Sequence, residues 1–274
     1  MQIMSLITAL PGAAAQGLIW GIMAIGVYIT FRILDIADLT VDGTLCTGGA
    51  VCIMMMLSGH NVWVSMLAAT GAGLLAGLAT GIFHTFMGIP AILAGILTQL
   101  SLYSVNLKIM GKANQAINVD KFNLLVSLRR VKGVALTQNT LFIVAIMIII
   151  LIAVLYWFFG TELGCSLRAT GCNPSMSRAQ GINTDRNKVL GLMLSNGLVA
   201  LSGALLTQYQ GFADINMGRG SIVIGLAAVI IGEAIFSRIF RNFALKLLSV
   251  VFGSILYYLV LQIVIWMGID TDLL

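Results

Sequence analysis

The chain has 274 residues, of which 59% are hydrophobic and 9% charged, with a net charge of +5 and a mean hydropathy of +1.02. A soluble domain carries roughly 25% charged residues to clothe its water-facing surface, so this composition excludes a soluble enzyme. Thirty glycines against three prolines, in long continuous apolar runs, predict closely packed transmembrane helices and exclude an alternating β-barrel pattern.

At about twenty apolar residues per span, the length accommodates roughly eight to ten helices, of which eight are read along the chain. In chain order they are predicted over Gly12 to Leu34, Ala37 to Leu57, Val62 to Phe86, Pro90 to Met110, Thr140 to Phe159, Val189 to Tyr209, Ser221 to Phe236 and Leu245 to Met267. The expected fold is therefore an all-α integral membrane protein, read as one domain over residues 1–274. The first span has no basic residues ahead of it, which argues against a cleaved signal despite the small residues after Pro11. Gly73, Gly77 and Gly81 repeat every fourth residue, as do Gly17 and Gly21, and such stripes let helix backbones approach closely.

Polar residues at the spans carry the remaining information. Arg32, Asp35, Asp38 and Asp42 cluster around the start of the second span, where carboxylates are costly unless they cap, pair or face water. Asp35 is read as an N-cap balanced by Arg32. Asp38 and Asp42, four apart, are read on one face as candidate pathway residues with Thr40 and Thr44. Thr98, Gln99 and Asn196 extend that candidate lining. Glu233 is assigned a local ion pair with Arg238, and Ala213-Asp214-Ile215 echoes Ala37-Asp38-Leu39 as an inverted repeat would. The four cysteines and two isolated histidines have no metal-ligand spacing, and no nucleophile-base pair is present, so neither a metal site nor catalysis is expected.

Two loops stand out. Gly111 to Gln138 is polar and basic, and Arg129, Arg130 and Lys132 are candidates for seating a soluble partner by charge complementarity. In Glu162 to Lys188, Asn173 reads as an N-cap, Pro174 as the first helical residue and Gly181 as a left-handed stop, which leaves about two turns of helix. Placing this loop in the cytoplasm puts Arg32, Arg168, Arg178, Arg186, Lys188, Arg238, Arg241 and Lys246 inside, a small positive-inside bias. Both termini then lie outside.

Arg168-Ala169 followed by Ala179-x-Gly181-Ile182-Asn183 resembles the cytoplasmic coupling segment of ABC-importer permeases of the branched-chain amino acid and ribose type. Asp38-Leu39-Thr40-Val41-Asp42-Gly43, Pro90-Ala91-Ile92 with Leu97-Thr98, and Gly211 to Gly232 resemble further stretches of that family in the same order. Asp42 departs from the small residue usual there, and Glu233 from a glycine. The resemblance implies a permease subunit of the bacterial plasma membrane that pairs with a second copy. It also implies ATP-binding cassette subunits on the cytoplasmic side and an external substrate-binding protein that supplies solute. The coupling helix would contact the ATPase through Arg168, Asn173, Pro174, Ser175, Arg178, Gln180 and Gly181. The chain has no phosphate-binding G-x-x-x-x-G-K-[ST] loop, so it is expected to need no cofactor of its own, ATP being bound by the partner. A small solute, an amino acid before others, is the expected cargo. A sugar or nucleoside importer and an ion-driven secondary carrier are the competing readings.

Overall fold

The computed structural model describes residues 2–117, 122, 124–131, 139–236, 240 and 242–267. Ten α-helices and a two-stranded ribbon account for most of them: α1 (Gln2–Tyr28), α2 (Thr40–Leu57), α3 (Val62–Thr85), α4 (Ala91–Met110), β1 (Asn114–Ala116), α5 (Thr140–Gly160), α6 (Glu162–Cys172), α7 (Pro174–Ala179), α8 (Thr184–Gln210), β2 (Phe212–Asp214), α9 (Ser221–Phe236) and α10 (Phe243–Trp266). Seven helices are long and apolar enough to cross a membrane, and α9 is apolar but shorter at 16 residues. The expected count of about eight holds if α9 is counted, and its length has a structural reason given below.

The core is an all-helical bundle in which α1 and α8 lie side by side at the centre. Ser195 and Ser202 of α8 donate to the Gly26 and Ile19 carbonyls of α1 at 2.7 and 2.8 Å. Between apolar helices such hydrogen bonds average about 0.6 kcal/mol, so they fix register more than they supply stability. The glycine stripes perform as the spacing predicts. Cβ atoms on Gly73 and Gly77 of α3 would strike the Asn196 and Leu192 backbone of α8, and one on Gly17 of α1 would strike Ile255 of α10. Backbone contact this close is possible only where no side chain intervenes.

α3 packs antiparallel along α8, and α10 packs antiparallel along α1. α1–α2–α3 and α8–α9–α10 thus repeat one arrangement with opposite sense. The echo between Ala37-Asp38-Leu39 and Ala213-Asp214-Ile215 is structural as well. Asp38 Oδ1 accepts from Thr40 N at 2.9 Å, and Asp214 Oδ1 accepts from Asn216 N at 2.8 Å, the same turn at the same place in each unit. In both units the chain leaves a long helix, turns, and starts a shorter helix within the bundle.

Three expectations are corrected here. Asp35 does not cap α2. The chain from Leu34 to Leu39 is not helical, Asp35 adopts a left-handed φ of 55°, and α2 begins five residues later, beyond the reach of its carboxylate. Arg32 does not balance Asp35: from the π-helical turn Ile29–Ile33 that follows α1 it pairs with Glu233 of α9 at 3.1 Å, and Arg238, the partner expected for Glu233, lies outside the described residues. The stretch after α5 is not simply a loop either. It holds α6, started by Thr161, whose hydroxyl accepts from Gly164 N, and seated so closely that a Cβ on Gly171 would strike the Ile33 carbonyl.

Candidate translocation site

A polar seam runs through the apolar bundle where α2, α3, α4 and α8 meet. Asp38, 2% exposed, accepts from Asn196 Nδ2 at 2.7 Å. Asn196 Oδ1 in turn accepts from the Thr44 hydroxyl at 2.7 Å. The Thr40 and Thr80 hydroxyls meet at 2.7 Å, and Thr80 donates to Thr98 at 2.9 Å. Every one of these groups is buried, and an unpaired polar group at this depth costs about 1–3 kcal/mol, so the seam holds four helices in one register. The structure therefore brings together five of the expected pathway residues, Asp38, Thr40, Thr44, Thr98 and Asn196, as a closed network that fastens the helices.

Asp42 does something different. Its Oδ1 accepts from Ser221 Oγ at 2.8 Å and Ile222 N at 3.0 Å, and its Oδ2 accepts from Gly220 N at 3.1 Å. From the first turn of α2, it caps the N-terminus of α9 across the bundle, where negative charge is favoured by exposed N–H groups. Cys46, one turn further, accepts from Gly218 N at 3.2 Å and donates to the Ile215 carbonyl at 3.3 Å. The segment 215–220 is thereby held inside the bundle against α2. α9 therefore starts beside the first turn of α2 rather than at the end of the bundle, which is why it is short.

Beside this junction is a cavity of about 250 Å³ lined by Asp42, Cys46, Gln99, Tyr103, Asn106 and Arg219, among others. Gln99 thus belongs with Asp42 rather than with the threonine seam. By chain direction the cavity lies toward the end of the bundle opposite α7, the end at which the ribbon pairs Asn114 with Asp214. Arg219 and Asn106 were not expected at a pathway. The proximity of residue 219 to α4 is set by the fold of 211–220 and leaves no local pattern.

On the other face, α7 has the geometry its sequence predicts. Asn173 caps it, accepting from Met176 N at 3.0 Å, and Gly181 closes it at φ 80°. Pro174, Ser175, Met176, Arg178 and Gln180 are exposed. Arg178 donates to Thr184 Oγ1 at 2.7 Å and reaches Asp185 at 3.4 Å, which ties α7 to the first turn of α8. Arg168 turns inward instead: it donates to the Phe159 carbonyl and lies 5.2 Å above the Phe243 ring, bracing α6 against α5 and α10. Arg129 and Arg130 fall in a short 3₁₀ turn, Leu128–Val131, and Lys132 lies outside the described residues.

The family described as branched-chain amino acid transport system / permease component matches residues 10–273. The chain belongs to this permease family. It is the membrane-spanning permease component of an ABC importer, a multi-pass protein of the bacterial inner membrane and not an enzyme. The tyrosine transport system permease protein of Clostridioides difficile (strain R20291) is 39% identical over 94% of this chain and 84% of its own length. An uncharacterized protein of Rickettsia prowazekii (strain Madrid E) is 39% identical over 97% and 90%. The fructose import permease protein FruF of Bifidobacterium longum (strain NCC 2705) is 25% identical over 86% of this chain but only 64% of its own length. The permease reading implied by the motifs and the helical membrane fold read from the composition therefore stand.

Proposed function

We propose that this permease carries a free amino acid inward, driven by ATP hydrolysed on a separate cassette subunit that seats on α7. The observation that carries the coupling is the mechanical path from α7. Its exposed face is rigidly capped, Arg178 fastens it to the start of α8, and α8 carries Asn196 into the seam that holds Asp38 and Thr44. A push on Ser175, Met176 and Gln180 is thus delivered to helix register inside the bundle. Nucleotide is bound by the partner alone, a second permease copy completes the pathway, and an external binding protein loads it over the outer loops, Arg129, Arg130 and Lys132 included.

The amino-acid cargo is supported by the 39% identity to a tyrosine transport permease over most of both chains, and by opposite charges, Asp42 and Arg219, around one small cavity. A sugar cargo is the second reading, favoured by the fructose permease relative. A thermal-shift screen of the cognate binding protein decides between them. Stabilisation by an aromatic or branched-chain amino acid is expected, and stabilisation by hexoses alone contradicts the amino-acid reading. The ATPase should co-purify with the wild-type permease and be lost from a Ser175→Arg, Met176→Arg double variant.

A further inference from the structure

The cavity beside Asp42 holds an unmatched pair of groups. Arg219 lines it with an exposed side chain and, among the described residues, no carboxylate at ion-pairing distance. The two acids nearest in the fold are already committed. Asp42 spends both oxygens on Gly220, Ser221 and Ile222, and Asp214 accepts from Asn114 and Asn216. A guanidinium with five donors and no ion pair among the described residues is a candidate site for a carboxylate from outside the chain.

Asn106 supplies the complementary half. It is 1% exposed and its Nδ2 donates to the Gly43 carbonyl at 3.4 Å, yet its Oδ1 is buried without a hydrogen-bond partner. The amide cannot be reversed to hide that oxygen, because two carbonyl oxygens would then face each other. A buried acceptor left open beside a cavity is paired when a donor enters. The fixed charge of Asp42 on the same wall makes a cationic donor the favoured one. Gln99, Tyr103 and Asn106 fall at i, i+4 and i+7, one face of α4, so the Tyr103 ring stands one turn from the open acceptor.

We infer that Arg219, Asn106 and Tyr103 form a solute-reception site for a free α-amino acid on the outer half of the pathway. Arg219 takes the carboxylate, Asn106 Oδ1 accepts from the ammonium, and Tyr103 flanks the solute side chain. The inference rests on the reading of the chain as the permease of an amino-acid importer, and it names the residues that contact the cargo.

The test uses the complete importer, with its ATPase and binding protein, in proteoliposomes supplied with ATP and radiolabelled L-tyrosine. Arg219→Gln is expected to lower uptake about tenfold to a hundredfold, as loss of one charge-assisted hydrogen-bonded contact does, and Asn106→Ala about tenfold. Arg219→Lys, which keeps the charge, retains most of the uptake. Binding-protein affinity for the vesicles and binding-protein-stimulated ATP hydrolysis stay at wild-type levels in all three. Arg219→Gln vesicles that import L-tyrosine like wild type overturn the site alone, and so does a loss of uptake that follows a matching loss of binding-protein affinity, which makes Arg219 a docking residue. Wild-type vesicles that import fructose and no amino acid overturn the cargo reading and the site together.

Discussion

Asp42 and Asp38 illustrate how a carboxylate is kept at membrane depth. Each is surrounded by donors: three for Asp42 from the start of α9, and for Asp38 the Thr40 amide and Asn196. Replacing Asp42 by Ala removes the cap of a helix that starts inside the bundle and is expected to cost about 1–2 kcal/mol. In detergent this reads as a fall of several degrees in thermal midpoint, with Asp42→Asn recovering part of it. Asn196→Leu leaves Asp38 and Thr44 without their shared partner and is expected to cost about 1–3 kcal/mol by the same measurement. The spacing of the two acids was legible in the sequence, but their division of labour was not. Asp42 meets its partners about 180 residues away along the chain, and Asp38 precedes the helix whose face it was assigned to. Arg219 was hidden for the same reason: its significance comes from segment 215–220 folding inward onto Cys46.

The elements were more readable where the signal is local. Asn173, Pro174 and Gly181 each encode their own geometry, and α7 begins and ends where they place it. The glycine stripe of α3 likewise encodes a close backbone approach, and it is met by α8. Gly77→Val is expected to force α3 off α8 and destabilise by about 1–3 kcal/mol, seen as loss of folded yield or midpoint. α6 escaped notice because it is short and polar and follows α5 after a single residue, Thr161. The Thr161 cap and the Leu163–Leu167 spacing were its only marks. Arg178 separates stability from coupling. Its pair with Asp185 is more than half exposed on both sides and contributes little to folding. Arg178→Ala, which also removes the hydrogen bond to buried Thr184, should lower the thermal midpoint by no more than a few degrees, yet reduce solute imported per ATP hydrolysed if α7 moves α8 through this contact.

At the scale of the molecule, two opposed three-helix units share the central α1–α8 pair, and each starts its second helix from within the bundle. Repeats of this kind place solute sites where broken helices meet, and here the first turn of α2 caps the first turn of α9 beside the cavity. α4 forms one wall of that cavity, yet only 22% of its span is buried, and Ser101 and Ser104 are exposed. Hydroxyls on an outward face are poorly matched to lipid, which supports a second permease copy covering α4. Ser104→Cys, with the exposed Cys165 and Cys172 replaced by Ser, is expected to form a disulfide-linked dimer under mild oxidation, seen as a band of doubled mass on a non-reducing gel. Retention of the monomer band alone would place α4 against lipid.

The central claim is that α7 lies in the cytoplasm and transmits the work of a separate ATPase. It is tested most directly by a Met176→Cys variant in which the exposed Cys165 and Cys172 are replaced by Ser. Treated with a short bifunctional thiol reagent in the assembled importer, it should cross-link to the ATPase, and uptake should stop while the bundle stays folded. Labelling of residue 176 by a membrane-impermeant reagent from outside intact cells, or full uptake after cross-linking, would contradict the account.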